Sequence, residues 1–344
     1  MPKQRSVPLS VLDLSFVREG ESPREALRES LALAQKAEEL GYKRFWMAEH
    51  HNMEGIASAA TAVALSYIGA GTRTIRIGAG GIMLPNHSPL VIAEQFGTLA
   101  SLYPDRVDLG LGRAPGTDVR TARALRRNLT NDSADSFPAD VQELRAYFAE
   151  PTPGQSVHAV PGEGLEVPIW LLGSSLYSAQ LAAFLGLPFA FASHFAPEYL
   201  LPSLELYRSK FRPSAKLPKP HVMVAANAVV AESDEKAEYL FSSAKLGVWN
   251  LLNGKRGKMQ PPATGIDALW SEEEHASVDR FLRYAFVGRP ATVQAQLEHF
   301  IRITRADEVI VTARIHNLAE RLRSVELLAE CRVMRSDAVP AGAL

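Results

Sequence analysis

A carboxylate and two imidazoles stand together in Trp46-Met47-Ala48-Glu49-His50-His51-Asn52, where a strand-like apolar run from Tyr42 to Ala48 gives out. Histidine titrates near neutrality and serves as acid, base or hydrogen-bond donor, so an imidazole held at a strand end is a ready proton-transfer group. Side chains alternate across a strand, so His50 and His51 cannot both face one way if the strand persists; His50 is the expected functional member and His51 a packing or capping one. Later strand-like runs end in residues suited to an anionic ligand: Gly78-Ala79-Gly80-Gly81, Gly112-Arg113, Gly173-Ser174-Ser175 and Ser193-His194. Arg113 supplies a fixed cation with bidentate geometry for phosphate. Gly173-Ser174-Ser175, opening a helix near Leu176, supplies hydroxyls and free backbone N–H groups at the positive helix end, and with Arg113 forms a phosphate clamp. The Gly80-Gly81 pair lets the backbone approach a flat ligand, because neither residue has a Cβ. Taken singly, each has a structural alternative: a carboxylate partner for the arginine, a helix cap for the serines, a turn for the glycines.

The elements that must position these groups alternate almost from end to end. Strand candidates run Val7 to Leu14, Tyr42 to Ala48, Ile75 to Gly80, Arg106 to Gly112, Val167 to Leu172, Pro188 to Ala192, His221 to Val230 and Glu308 to Thr312. Amphipathic helical stretches follow at Pro23 to Leu40 with Ser22 as its cap, Ser58 to Ala70, Pro89 to Leu102, Thr121 to Arg127, Leu176 to Leu185, Pro197 to Phe211 and Leu318 to Arg332. This is the pattern of an α/β (β/α)₈ TIM barrel, whose catalytic groups gather at the C-terminal strand ends. The doubly wound alternative wants a glycine fingerprint after the first strand, and Leu12-Asp13-Leu14-Ser15-Phe16 has none. Ala114 to Ala139 and Pro151 to Glu166 read as excursions after the fourth strand. Ala231 to Ala285 reads as an insertion after the seventh, a lid within one domain spanning residues 1–344.

Composition narrows the partners. The 344 residues are 47% hydrophobic, enough for a sizeable core, and the formal net charge is −1. Acidic and basic residues are mixed along the chain, leaving neither a basic stripe for nucleic acid nor a polybasic membrane patch, so small molecules are the expected partners. Arg120, Arg123, Arg126 and Arg127 lie at helical spacing and read as a solvated face. Cys331 is the one cysteine, and the charged start Met1-Pro2-Lys3-Gln4-Arg5 has no apolar run behind it; a cytoplasmic protein is expected. No metal site is expected, because adjacent histidines at a strand end point apart and neither His-x-His nor His-Glu-x-x-His spacing occurs.

The ordered combination resembles the bacterial luciferase-like family of flavin-dependent monooxygenases. The resemblance rests on Trp46 to Asn52, Ile77 to Pro85, Asp105 to Arg113, Pro168 to Ser175 and Val287-Gly288-Arg289-Pro290. It covers the chain from about Val7 to Cys331, is weakest in Ala231 to Ala285, and points to a non-luminescent single-chain subgroup, to which Phe191 to Pro197 with His194 is also similar. Luminescent relatives often carry a cysteine at the position of Gly112, so light emission is not expected.

The resemblance implies the same barrel and reduced FMN as co-substrate. Arg113, Gly173, Ser174, Ser175 and Ser178 would hold the FMN phosphate with the backbone amides of Leu176 and Tyr177, and Gly80-Gly81 would be a non-prolyl cis peptide under the isoalloxazine ring. His50 would assist formation or protonation of a flavin hydroperoxide, Glu49 would orient the pocket by hydrogen bonding, and His194 would complete the catalytic set. Trp249 and Trp270, in the lid, are candidates for the substrate wall, though packing is the commoner use of such residues. A two-component monooxygenase follows, taking O2 and a small organic substrate, served by a separate NAD(P)H-dependent flavin reductase and dimerising through the second and third barrel helices. The alternatives are a deazaflavin-dependent hydride-transfer oxidoreductase and a flavin-binding protein without turnover.

Overall fold

The computed structural model of the protein describes residues 5–114, 118–125, 136–331 and 334–335. In chain order the elements are β1 (Arg5–Ser6), β2 (Leu9–Asp13), α1 (Pro23–Glu39), β3 (Arg44–Met47), α2 (Thr61–Ala70), β4 (Arg76–Met83), α3 (Pro89–Leu102), β5 (Val107–Gly112), α4 (Val119–Leu125), α5 (Phe137–Tyr147), β6 (Ile169–Gly173) and α6 (Leu176–Leu185). They continue with β7 (Phe189–Phe191), α7 (Leu200–Lys210), β8 (Val222–Val230), α8 (Asp234–Leu252), α9 (Glu272–Phe281), β9 (Ala285–Gly288), α10 (Pro290–Thr304), β10 (Glu308–Thr312), α11 (Leu318–Glu330) and β11 (Met334–Arg335). Strands β2 to β8 pair in sequence, all parallel, and β10 pairs with both β8 and β2. The sheet therefore closes into the expected eight-stranded (β/α)₈ barrel.

The expected strands read true because strands buried on both faces are near-continuous apolar runs; all nine residues of β8 are buried. Several features depart from expectation. Strand β4 runs on past Gly80 to Met83, with a register irregularity between Ala79 and Ile82. Helix α2 begins at Thr61 rather than Ser58, and α7 at Leu200 rather than Pro197. Helices α5 and α10 and strand β9 lie where no element was assigned. Strand β9 pairs only with the C-terminal part of β8, Asn227–Val230, taking over at Asn227 where the pairing of β8 with β10 ends. Strands β1 and β11 form a separate antiparallel pair. Of the Arg120 to Arg127 group, Arg120 and Arg123 are exposed on α4, and Arg126 and Arg127 lie outside the described residues, as do Met1 to Gln4.

Alternate residues of each strand point into the barrel. The lowest inward layer is ionic: Glu308 accepts from Ser10 Oγ (2.5 Å), Arg44 Nε (2.6 Å) and Lys43 Nζ (2.8 Å), and Arg44 Nη1 reaches Asp108 at 2.6 Å. The middle layer is apolar, with Leu12, Trp46, Trp170, Met223 and Ile310 in one cluster and the two indoles packed edge to face at 5.4 Å. Continuing the same parity past the strand ends brings His50, Gly80, Gly112, Ser174, His194 and Arg314 to the upper end of the barrel. The larger apolar core fills the space between the outer strand faces and the helices. The insertion after β8 builds its own cluster from α8, α9 and the Trp270 segment.

Candidate active site

The upper end opens into a cavity of about 690 Å³, within the usual range for ligand sites. Its wall includes His50, His194, Gly80, Gly81, Arg113, Gly173, Ser174, Ser175 and Ser178, so nine of the twelve expected site residues meet there. The other three, Glu49, Leu176 and Tyr177, stand behind or beside the wall. Gly80-Gly81 is a cis peptide bond, as the resemblance implied. A Cβ on Gly80 would stand 2.8 Å from Leu12 Cδ1, and one on Gly81 2.7 Å from the Gly110 carbonyl oxygen, so bare backbone forms this part of the wall.

The anion end is built from β5, β6 and the start of α6. Ser175 is the N-cap of α6, in extended conformation, and its hydroxyl makes no capping bond to the helix. That leaves the hydroxyl and the first backbone N–H groups for a ligand, at the positive end of the helix dipole. Arg113 pairs with no carboxylate among the described residues; its guanidinium lies 4.0 Å from the centre of the Tyr177 ring, which fixes its plane. Gly173 is required by close approach, since a Cβ there would fall 2.1 Å from Ser178 Oγ. A group with a phosphate at one end and a flat ring at the other fits this arrangement: the anion cradle and the bare-backbone glycines share one cavity.

Glu49 is fully buried. Its Oε1 accepts hydrogen bonds from His51 Nε2 (2.8 Å) and His87 Nε2 (2.9 Å), and its Oε2 accepts the Met83 N–H (3.2 Å). Burial alone would raise the carboxyl, but these three donors more than reverse it and hold it below the ordinary carboxylate range. Glu49 therefore clamps the segment that carries His50 to the end of β4, a positioning role. Glu49, His51 and His87 also bring ligand-type atoms within 4.8 Å of one another, with both imidazole Nε2 atoms already directed at one Glu49 oxygen. His87 was not singled out from the sequence; it lies 38 residues from Glu49, just before α3, with no spacing to announce it.

His194 is buried, its backbone carbonyl accepts from Asn227 Nδ2 at 2.7 Å, and its Nδ1 has no partner among the described residues. Burial pushes its pKa down to about 3, with repulsion from the Arg314 guanidinium and from His50 adding to the effect. It is thus a neutral imidazole at working pH, a hydrogen-bonding group rather than a proton store. The unfolded chain takes up this proton first, near pH 6.5, so the folded state loses stability as pH falls from about 6.5 toward about 3. Replacing His194 by asparagine is expected to remove roughly 3 kcal/mol of the stability lost between pH 6.5 and pH 4. Urea midpoints measured across that range for both proteins check it; parallel curves would refute the neutral buried assignment.

The remaining wall was not foreseen. Phe16 from the β2–α1 loop, Met53, Ile56, Phe195, Phe281 and Met259 give it an apolar side, and Arg314 stands two residues past β10. The insertion after β8 covers the mouth, with Ser243, Gly247, Asn250 and Leu251 of α8 and residues 255–259 in the wall. It is strapped down: the Met259 N–H donates to Val17 O, the Glu19 N–H to Met259 O, both at 2.9 Å, and Lys258 Nζ to Glu21 O at 2.8 Å. Trp249 and Trp270 do not line the cavity. They stack on each other at 6.1 Å, and Trp249 Nε1 donates to Glu274 at 2.8 Å, so they pack the insertion.

Comparison with known proteins agrees with this architecture. The family model described as luciferase-like monooxygenase matches residues 7–307. A luciferase-like monooxygenase of Escherichia coli (strain K12) is 52% identical over 328 residues, which cover 95% of this chain and 98% of the relative. The crystal structure of apo-MsnO8 is similar with a TM-score of 0.84 and 36% identity, over 94% of this chain and 98% of that one. The oxygenating constituent of 3,6-diketocamphane monooxygenase of Pseudomonas putida, a type II Baeyer-Villiger monooxygenase in complex with FMN, shares the fold at TM-score 0.72 and 16% identity, over 96% and 98% of the two chains.

Proposed function

The chain belongs to the luciferase-like monooxygenase family, and from that membership we propose that it oxygenates a small organic substrate with O2 and reduced FMN, the flavin being supplied by a separate NAD(P)H-dependent reductase. The observation that carries this reading is the meeting, in one cavity, of an anion cradle without a carboxylate, a bare-backbone wall at Gly80-Gly81, and two imidazoles. Arg113, Ser174, Ser175 and Ser178 would hold the phosphate, with the Leu176 and Tyr177 amides at the start of α6. When bound, reduced FMN would supply the electrons and the centre that activates oxygen. The protein's own part would be to offer the bare Gly80-Gly81 backbone to a flat ring, to hold His50 at the wall through the Glu49 clamp, and to keep water out with the strapped insertion. His194 contributes a neutral hydrogen-bonding face. Among the described residues no Asp or Glu lines the cavity, so none of them opposes an anionic cofactor.

A second copy of the chain is the proposed partner. Helices α2 and α3 leave Val63, Tyr67, Val91 and Leu102 exposed by 72%, 45%, 43% and 58%, an apolar set that a homodimer through these helices would cover. Among the described residues no helix is long and apolar enough to cross a membrane.

Anaerobic titration with reduced FMN, followed by an oxygen pulse, tests the function. The expected result is saturable binding and an absorbance transient that outlives that of free flavin. Arg113→Met is expected to weaken binding by roughly 100-fold, the loss of a bidentate charge-assisted pair. Failure of the wild type to bind reduced FMN would overturn the reading in favour of a deazaflavin coenzyme, and binding without the transient would point to a flavin protein without turnover.

A further inference from the structure

The cavity holds more positive charge than a phosphate cradle needs. Of the cations in its wall, Arg256 pairs with Asp118, Lys258 donates to the Glu21 carbonyl, and Lys255 lies over the Trp249 ring. Arg113 lies against the Tyr177 ring at the start of α6. Arg314 has no such role. It follows β10 at the inward parity of Glu308 and Ile310, and its Nε is buried with no hydrogen-bond partner. Neither a carboxylate nor a carbonyl among the described residues meets its guanidinium, which lies 5.3 Å from the centre of the Phe16 ring. A guanidinium is costly to bury unpaired, and burial here draws its pKa down to about 10, which leaves it charged at neutral pH. Among the described residues the two fully buried arginines are paired, Arg44 with Asp108 and Glu308 and Arg321 with Asp13, whereas Arg314 is half-buried with its Nε enclosed. Arg314 has no such pair, and it opens on the cavity.

Its surroundings say what it would meet. His194 and His50 line the same cavity as Arg314. Phe16, Phe195, Phe281, Met53 and Ile56 supply an apolar surface in the same cavity. We propose that Arg314 receives the acid group of the substrate, so that the oxygenated molecule is a small carboxylate whose apolar portion lies against this aromatic surface. The planar guanidinium matches a carboxylate in a bidentate pair, and a site built to bind an anion rejects the neutral isostere, because the arginine is then left buried and unpaired. This inference deepens the functional reading above and rests on it.

Anaerobic calorimetric titration of the protein saturated with reduced FMN, using straight-chain carboxylates of four to eight carbons, each against its primary amide, tests it. At least one acid is expected to bind ten or more times tighter than its amide. Arg314→Met should abolish that preference with amide binding unchanged, and Arg314→Lys should keep part of it. FMN affinity is measured on the same samples. If the wild type does not bind reduced FMN, the functional reading fails; if it binds reduced FMN but no acid shows the preference, or Arg314→Met retains it, the carboxylate assignment alone is overturned. A loss of FMN affinity of tenfold or more in both Arg314 variants, with urea midpoints at the wild-type value, would give the guanidinium to the flavin and overturn the proposal as well.

Discussion

Replacing His50 by alanine is expected to slow the oxygen-dependent step by roughly 10²- to 10⁴-fold, the usual worth of a positioned acid–base group, with FMN affinity unchanged. The rate is read from the decay of absorbance after an oxygen pulse on the protein loaded with reduced FMN. His50 is in the cavity wall, and the segment that carries it is anchored from behind by the buried Glu49, which grips His51, His87 and the Met83 N–H. The clamp does not use the His50 imidazole, so alanine removes the ring and leaves its mount. The neighbouring His194 cannot replace it as a proton carrier, because burial keeps it neutral. Added imidazole should restore part of the rate in His50→Ala. An unchanged rate with FMN bound would move proton handling away from this residue.

Glu308→Gln is expected to cost about 3–5 kcal/mol of folding stability, the range for breaking a buried ion pair. Glu308 is 0% exposed and gathers Ser10, Lys43 and both Nε and Nη2 of Arg44. Burial alone would raise its carboxyl, yet His221, Arg44 and Lys43 hold it far below the ordinary range. A carboxyl so lowered contributes its stability fully above the unfolded pKa of about 4.5 and loses it as pH falls toward the folded value, so the effect is complete at pH 7. Glutamine keeps the shape but leaves Arg44 with Asp108 as its remaining carboxylate. Urea denaturation at pH 7 reads the difference, and a loss below about 1 kcal/mol would show that the lower ionic layer is dispensable.

The barrel was legible because its strands are buried, largely apolar runs and several of its helices open on a proline or a capping residue. Pro23 at the first position of α1, with the Ser22 N–H donating to Glu25, is the kind of local signal that needs no tertiary help. Helix α10 carried the same signals, Pro290 at its start and Val293, Leu297, Phe300 and Ile301 on one face, and was legible but not assigned. Strand β9 was not: four residues that pair along one edge of β8 leave no periodicity to read. The cradle was legible because its parts are strand-end motifs with local chemistry. Arg314, Phe16 and Phe281 are single residues scattered over nearly the whole chain, and His87 meets Glu49 only because the β4–α3 turn folds back. Such neighbours are made by closure of the sheet and leave no mark in local sequence.

That closure bears on how the protein is made. Strand β10 completes the sheet by pairing with β2 and β8 together, and the Ser10–Glu308 hydrogen bond inside it joins residues 298 positions apart. A nascent chain translated through β8 holds an open sheet with two unpaired edges, which favours misassociation with other chains until the final strand arrives. The loop-closure entropy of that last pairing must be met before its contacts form, so folding should be slow for a chain of this helix content. Arg314 follows the closing strand, so the complete cavity cannot exist on a partly synthesised chain.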